Sequence, residues 1–187
     1  MTKLKGLILA GGLSSRMGQD KAFLKIKDSI QLEYLIKLYE TCNLIPAISC
    51  REEQLESMKQ YAGCITDRYN QIGPLGGVLS AFEKEPETAW LLTACDMPNI
   101  KKEDIDRLIE ERDPLAKLSC YMTTDGFPEP LFSIWEPGSY EDLIEAYKNN
   151  NYSLVRLINK IEAKKIPARS DEIFVNINTP EELNKYS

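Results

Sequence analysis

At 187 residues the chain is long enough for one substantial core and too short for two. Its composition, 43% hydrophobic and 28% charged, is that of an ordinary globular protein. A net charge of −6 leaves no basic excess to neutralise a phosphate backbone, which excludes a general nucleic-acid binder while still allowing a local cationic site for one small anion.

The N-terminal MTKLKGLILAGG has a basic start and a short apolar run, but the run ends in Gly-Gly rather than at a small-residue cleavage site. No apolar stretch is long enough to cross a bilayer, so the expectation is a cytoplasmic protein without membrane contact. KGLILAG reads as a strand buried on both faces. QLEYLIKLYETC follows as a helix, with Leu32, Leu35, Ile36 and Tyr39 at helical spacing. LIPAISC reads as a second strand and EEQLESMKQYAG as a helix that Gly63 would stop. CITD is a short third strand, GPLGG opens a helix through VLSAFEKE, and AWLLTACD is a fourth strand. KEDIDRLIEERD is the next helix, ending before Pro114.

Beyond Pro114, KLSCYM and PLFSIW read as two strands joined through an Asp125-Gly126 turn. Helical stretches at YEDLIEAYKNN and SLVRLINK come next, then short strands at AKKIPA and IFVNIN. A final helix starts at Pro180 with Thr179 as its cap. The βαβαβαβ rhythm predicts a three-layer, Rossmann-like α/β fold whose mostly parallel central sheet is flanked by helices. With no repeat, low-complexity tract or linker, residues 1–187 read as a single domain.

The chain has no histidine, which removes Ser-His-Asp triads, Cys-His dyads and histidine general bases. Chemistry is left to carboxylates, Lys, Arg, hydroxyls, backbone N–H groups and bound metal, the set that phosphoryl and nucleotidyl transfer use. The five cysteines are odd in number, form no C-x-x-C pair and lie mostly in apolar runs, so they read as packing residues.

The segment from Leu9 to Lys21, LAGGLSSRMGQDK, follows a strand with two glycines, Arg16, a third glycine and Lys21. A strand leading into such a loop places N–H groups where they converge on an anion, and Gly11 and Gly12 let a ligand approach the main chain. The spacing fits neither a Walker A loop nor a G-x-G-x-x-G turn. Asp96, after LLTAC, falls where a strand leaves the sheet, the edge at which open α/β sheets bind ligands. Asp67 ends CITD, and its neighbour Arg68 offers it an alternative as a surface ion pair. In VNIN, strand periodicity would put Asn176 and Asn178 on one face and Val175 and Ile177 on the other.

The string LAGG-x-S-x-RMG-x-DK resembles the signature loop of the nucleotidyltransferase superfamily, and GPLGG, CDMP and VNINTPEEL continue the likeness in order along nearly the whole chain. Together they resemble the molybdenum cofactor guanylyltransferases. The resemblance implies transfer of GMP from GTP to molybdopterin, with Mg²⁺ as cofactor and pyrophosphate as the second product. It implies that Leu9, Ala10, Gly11, Gly12, Lys21 and Asp67 contact nucleotide. Arg16, Lys21 and Asp96 would be catalytic, Asp96 would carry the metal, and Asn176 and Asn178 would lie near the pterin acceptor. Other proteins of molybdenum cofactor biosynthesis and the target molybdoenzymes are the protein partners it suggests.

Two positions depart from the family pattern. Cys50 and Arg51 stand where relatives often carry a nucleotide-touching asparagine, and Glu129 precedes Pro130 where relatives show Gln or His. The alternatives are a cytidylyltransferase or another nucleotidyltransferase with a different phosphorylated acceptor, and a non-catalytic nucleotide- or cofactor-binding protein.

Overall fold

Leu7 and Ile8 are both fully buried, although they are neighbours on strand β1 (Lys3–Leu9). Successive strand residues point to opposite faces, and each of these two belongs to a different hydrophobic core. The strand is therefore covered on both sides, and burying such a side chain contributes about 1.5–3 kcal/mol. The computed structural model describes residues 2–12, 20–26, 29–69 and 71–186.

A two-residue hairpin, β2 (Lys25–Ile26) with β3 (Ser29–Ile30), precedes α1 (Gln31–Thr41). Next come β4 (Pro46–Cys50), the short α2 (Leu55–Met58), β5 (Cys64–Thr66), α3 (Pro74–Lys84) and β6 (Thr88–Ala94). After α4 (Lys102–Glu110), β7 (Leu118–Met122) and β8 (Pro128–Trp135) form an antiparallel pair. The chain ends with α5 (Tyr140–Lys148), α6 (Leu154–Ile158), β9 (Ala163–Pro167) and α7 (Pro180–Leu183).

The seven-stranded sheet has the order β5-β4-β1-β6-β8-β7-β9. Pairing is parallel from β5 through β6 and between β7 and β9, so β8 alone runs against the rest. α1, α2 and α4 bury residues in the core that holds Ile8, while α3, α5 and α6 bury theirs in the core that holds Leu7. The three-layer, mostly parallel α/β architecture is the one the alternating pattern predicts. Among the described residues no helix is long and apolar enough to cross a membrane.

Two expected elements differ. The helix expected over EEQLESMKQYAG is a 3-10 turn (Glu52–Gln54) followed by only one α-turn, α2. Gln54 is drawn back onto the Arg51 N–H at 2.8 Å, which tightens the first turn. Gly63, at φ 82°, turns the chain into β5 instead of capping a helix. The IFVNIN strand does not form. Here a 3-10 turn (Asp171–Phe174) leads into extended chain, and the Ile177 N–H goes to Asp96 O instead of to a sheet neighbour. Ile177 is fully buried whereas Val175 is 40% exposed, so the two do not share an environment as a strand face would require.

All five cysteines are free, and four are buried. Burial pushes the Cys50 and Cys120 thiols up to about 12, which fits packing residues.

Candidate nucleotide site

Because β5, β4, β1 and β6 are parallel, their carboxyl ends share one edge of the sheet. After β1 the chain first runs outward to β4 and β5, then returns to the other side of β1 as β6. The edge beside β1 is therefore a topological switch point, where open α/β sheets bind ligands. Backbone bonds hold the segments leaving it. Ala10 donates to Ser49 O at 2.8 Å, Cys95 to Leu9 O at 3.2 Å, and Asp67 to Cys50 O at 2.8 Å. Leu9, Ala10, Gly11, Gly12, Asp67 and Asp96 thus emerge together, as the sequence suggests. A Cβ on Gly12 would meet nothing within 4 Å, so packing among the described residues does not require glycine there.

Lys21 opens a 3-10 turn (Lys21–Phe23) capped by Asp20, whose Oδ1 accepts the Ala22 N–H at 3.0 Å. Its Nζ donates to Asp96 Oδ2 at 2.7 Å and to Asn178 Oδ1 at 2.6 Å. Those three residues are far apart in sequence, and two features bring them together. Leu24, Ile26 and Ile177 form a small separate core, and the Ile177 N–H donates to Asp96 O at 2.9 Å. The capping box of α7 then fixes Asn178, whose N–H donates to Glu182 Oε2 at 2.6 Å.

Asn176 is not on a common strand face with Asn178. Its Nδ2 donates to Phe174 O at 3.1 Å, and its buried Oδ1 has no partner among the described residues. A buried polar atom without a partner is costly, so a ligand or a bound water has a place there.

Asp67 does not pair with its neighbour Arg68, which instead faces Glu83 at 3.6 Å. The Asp67 Oδ1 accepts the Tyr69 N–H at 2.8 Å and lies 3.4 Å from Ser80 Oγ. Burial raises its carboxyl above the usual range, partly offset by those donors. α3 approaches this carboxylate closely because residue 76 is glycine; a Cβ there would stand 2.7 Å from both Asp67 carboxylate oxygens. Gly77 leaves room in the same way for Ser49 and Leu9. Gly76 and Gly77 therefore dock the helix onto the sheet edge.

Arg51 and Gln54 make contacts at this edge that the sequence did not reveal. They bond to the main chain of residues 10–12 and to Asp20, contacts between segments some forty positions apart that no local pattern announces. Glu129, the other departure, is turned back onto the Leu131 N–H at 2.9 Å. Burial and, to a smaller extent, repulsion from Asp96 push its carboxyl up.

Arg16 lies outside the described residues. A cavity of about 280 Å³ lined by residues including Asn99, Arg107 and Arg169 contains none of the predicted site residues. The candidate site is an open edge of the sheet.

The donor set fits Mg²⁺ in one specific way. Among the described residues no three of His, Cys, Asp and Glu converge on a metal position. The described residues therefore form no purely protein-built cage. Mg²⁺ typically takes one or two carboxylates and completes its shell with water and substrate phosphates. A lone Asp96, already opposite an ammonium, matches that mode.

The parallel sheet, its switch-point edge and the flanking helix layers define a three-layer α/β fold of the nucleotidyltransferase type. The MobA-like NTP transferase domain matches residues 6–166, and the chain belongs to that family. A probable molybdenum cofactor guanylyltransferase from Thermococcus gammatolerans is 30% identical, over 96% of this chain and 97% of its own length. A molybdenum cofactor biosynthesis bifunctional protein from Synechocystis is also 30% identical over 98% of this chain, which spans only 54% of that protein. The crystal structure of molybdopterin-guanine dinucleotide biosynthesis protein A from Archaeoglobus fulgidus superposes with a TM-score of 0.82. It is 22% identical, with 97% of this chain and 96% of that one covered, which speaks to the fold.

Proposed function

We propose that the protein, acting as a single domain in the cytoplasm, transfers GMP from GTP to molybdopterin and releases pyrophosphate. The observation that carries this reading is the Lys21 ammonium held between Asp96 and Asn178 beside the glycine turn, on the sheet edge of a MobA-like chain. The near-full-length relatives named as guanylyltransferases support guanine and molybdopterin as the substrates.

In this reading the backbone of Leu9, Ala10, Gly11 and Gly12 meets the base and ribose end, with Asp67 closing the far side. Lys21 leaves Asp96 for the phosphates; Asp96 is the residue that would hold Mg²⁺, and the ion would supply charge neutralisation there. Asn178 and the unpartnered oxygen of Asn176 face the acceptor. Arg16 joins the phosphate contacts on the strength of the family motif.

The acceptor's terminal phosphate oxygen attacks the α-phosphorus in line. A new P–O bond forms, the α–β bridging P–O bond breaks, and pyrophosphate leaves with its electron pair. The nucleophile is already an anion, so no general base is needed, in keeping with a chain that has no histidine. Protein partners would be those that deliver molybdopterin and the molybdoenzymes that take up the product.

Pyrophosphate release measured with GTP, CTP, UTP and ATP, each with and without molybdopterin, tests the proposal. Release with GTP that depends on molybdopterin is expected. Preference for CTP would point to a cytidylyltransferase, and GTP binding without release would point to a non-catalytic binder.

A further inference from the structure

Arg51 lies along the main chain of the glycine turn. Its Nη1 donates to Gly11 O at 2.6 Å and to Gly12 O at 2.8 Å, and its Nη2 stands 3.5 Å from Asp20 Oδ2. Gln54 adds two more bonds, with its Nε2 donating to Ala10 O at 3.0 Å and to Asp20 Oδ2 at 2.6 Å. Gln54 is itself fixed, only 3% exposed and accepting the Arg51 N–H. Two side chains from one turn therefore hold three successive carbonyls and the aspartate that caps the turn bearing Lys21.

This has a directional consequence. In a planar trans peptide the C=O and N–H point opposite ways. Drawing the Gly11 carbonyl toward Arg51 aims the Gly12 N–H away from Arg51. The Asp20 carboxylate carries the restraint further. Its Oδ2 is held by Gln54 and Arg51 while its Oδ1 caps the 3-10 turn from which Lys21 reaches Asp96. Among the described residues the other carboxylate near the guanidinium is Glu53, at 3.7 Å from Nε; it is 81% exposed and binds weakly. A planar guanidinium can span two carbonyls and a carboxylate at once, whereas a lysine ammonium is a single point charge.

We propose that Arg51, seconded by Gln54, is a positioning residue for the nucleotide. It touches no substrate, but it aims the amide of the glycine turn and the Lys21 turn at the phosphates of the incoming nucleotide. The proposal rests on the nucleotidyltransferase reading above.

The test is GTP-dependent pyrophosphate release by the full chain, comparing wild type with Arg51→Ala and Arg51→Lys, with thermal melting alongside. Arg51→Ala is expected to raise the GTP KM by about tenfold, the usual consequence of misaiming one charge-assisted hydrogen bond. The acceptor KM should stay at its wild-type value, and Arg51→Lys should fall between the two. Wild-type GTP KM in Arg51→Ala overturns the proposal. So does a parallel rise of both KM values that tracks a lower melting temperature, which marks general loosening. If Arg51→Ala does not fold, Arg51→Lys decides alone: a GTP KM raised several-fold with an unchanged acceptor KM supports the role, and an unchanged GTP KM overturns it. Wild-type protein that releases no pyrophosphate overturns the functional reading and this one together, whereas normal turnover with unaffected variants overturns only this one.

Discussion

Two poorly exposed ion pairs sit at opposite edges of the same sheet, and they are built differently. Lys21–Asp96 lies at the carboxyl edge with side-chain exposures of 15% and 13%; Arg112–Glu136 lies beyond the other edge with 10% and 3%. Arg112 donates twice, from Nε to Glu136 Oε1 at 2.6 Å and from Nη2 to Oε2 at 2.8 Å, locking the chain after α4 to the end of β8. Lys21 gives Asp96 one contact and shares its ammonium with Asn178. A guanidinium fork fixes a geometry, and a lysine on a flexible stem can move to another anion. The Arg112–Glu136 pair is built to stay closed, and the Lys21–Asp96 pair is the one the proposed reaction exchanges.

Removing one partner from each pair should separate stability from activity. Arg112→Ala strands a buried carboxylate and is expected to cost about 3–5 kcal/mol of stability, read from urea unfolding. The molecules that remain folded should keep wild-type turnover. Lys21→Ala is expected to reverse that pattern, with turnover falling by about 10²–10³ and the urea midpoint staying near wild type. Equal stability losses in both variants would erase the distinction.

A third substitution probes how the exchangeable edge is supported. Gly77→Ala drives a Cβ into Ser49 and to 2.9 Å from Leu9 Cδ2, so overpacking should cost about 1–3 kcal/mol and weaken GTP binding by shifting Leu9.

The smallest effect is expected at Asp67, whose carboxyl burial holds above its usual range. Between the ordinary and the raised value the native state binds more protons than the unfolded one, so this group's contribution to stability falls as pH rises through that window. Asp67→Asn removes that dependence. Its urea midpoint should therefore gain on wild type as pH rises from below the carboxylate range toward neutrality, while its GTP affinity drops by about tenfold. A wild-type midpoint that instead improves relative to the variant over that span would reverse the sign and refute the burial argument.

The sheet and its switch-point edge were legible because their signals are local. Apolar runs such as LILA and AWLLTA are long, both faces of those strands are buried, and the Leu9–Lys21 motif has fixed spacing. The alternation in VNIN misled for a physical reason: two-residue periodicity makes a strand only where the main chain joins a ladder, and here the Ile177 N–H goes to Asp96 O and the Asn178 N–H to Glu182 Oε2. The residues still reached the site, through the Ile177 N–H on Asp96 and the Asn178 side chain under Lys21. The hairpin of β2 and β3 is too short to show a pattern. The Arg51 and Gln54 contacts were invisible because their partners are main-chain carbonyls, which every sequence has.

The exchange of Lys21 is best tested by a crystal structure of the protein soaked with GTP and Mg²⁺. The nucleotide should lie along the carboxyl ends of β1 and β6, with the Lys21 ammonium on its phosphates and Asp96 on the metal. A nucleotide bound elsewhere, with Lys21 and Asp96 still joined, would contradict the account.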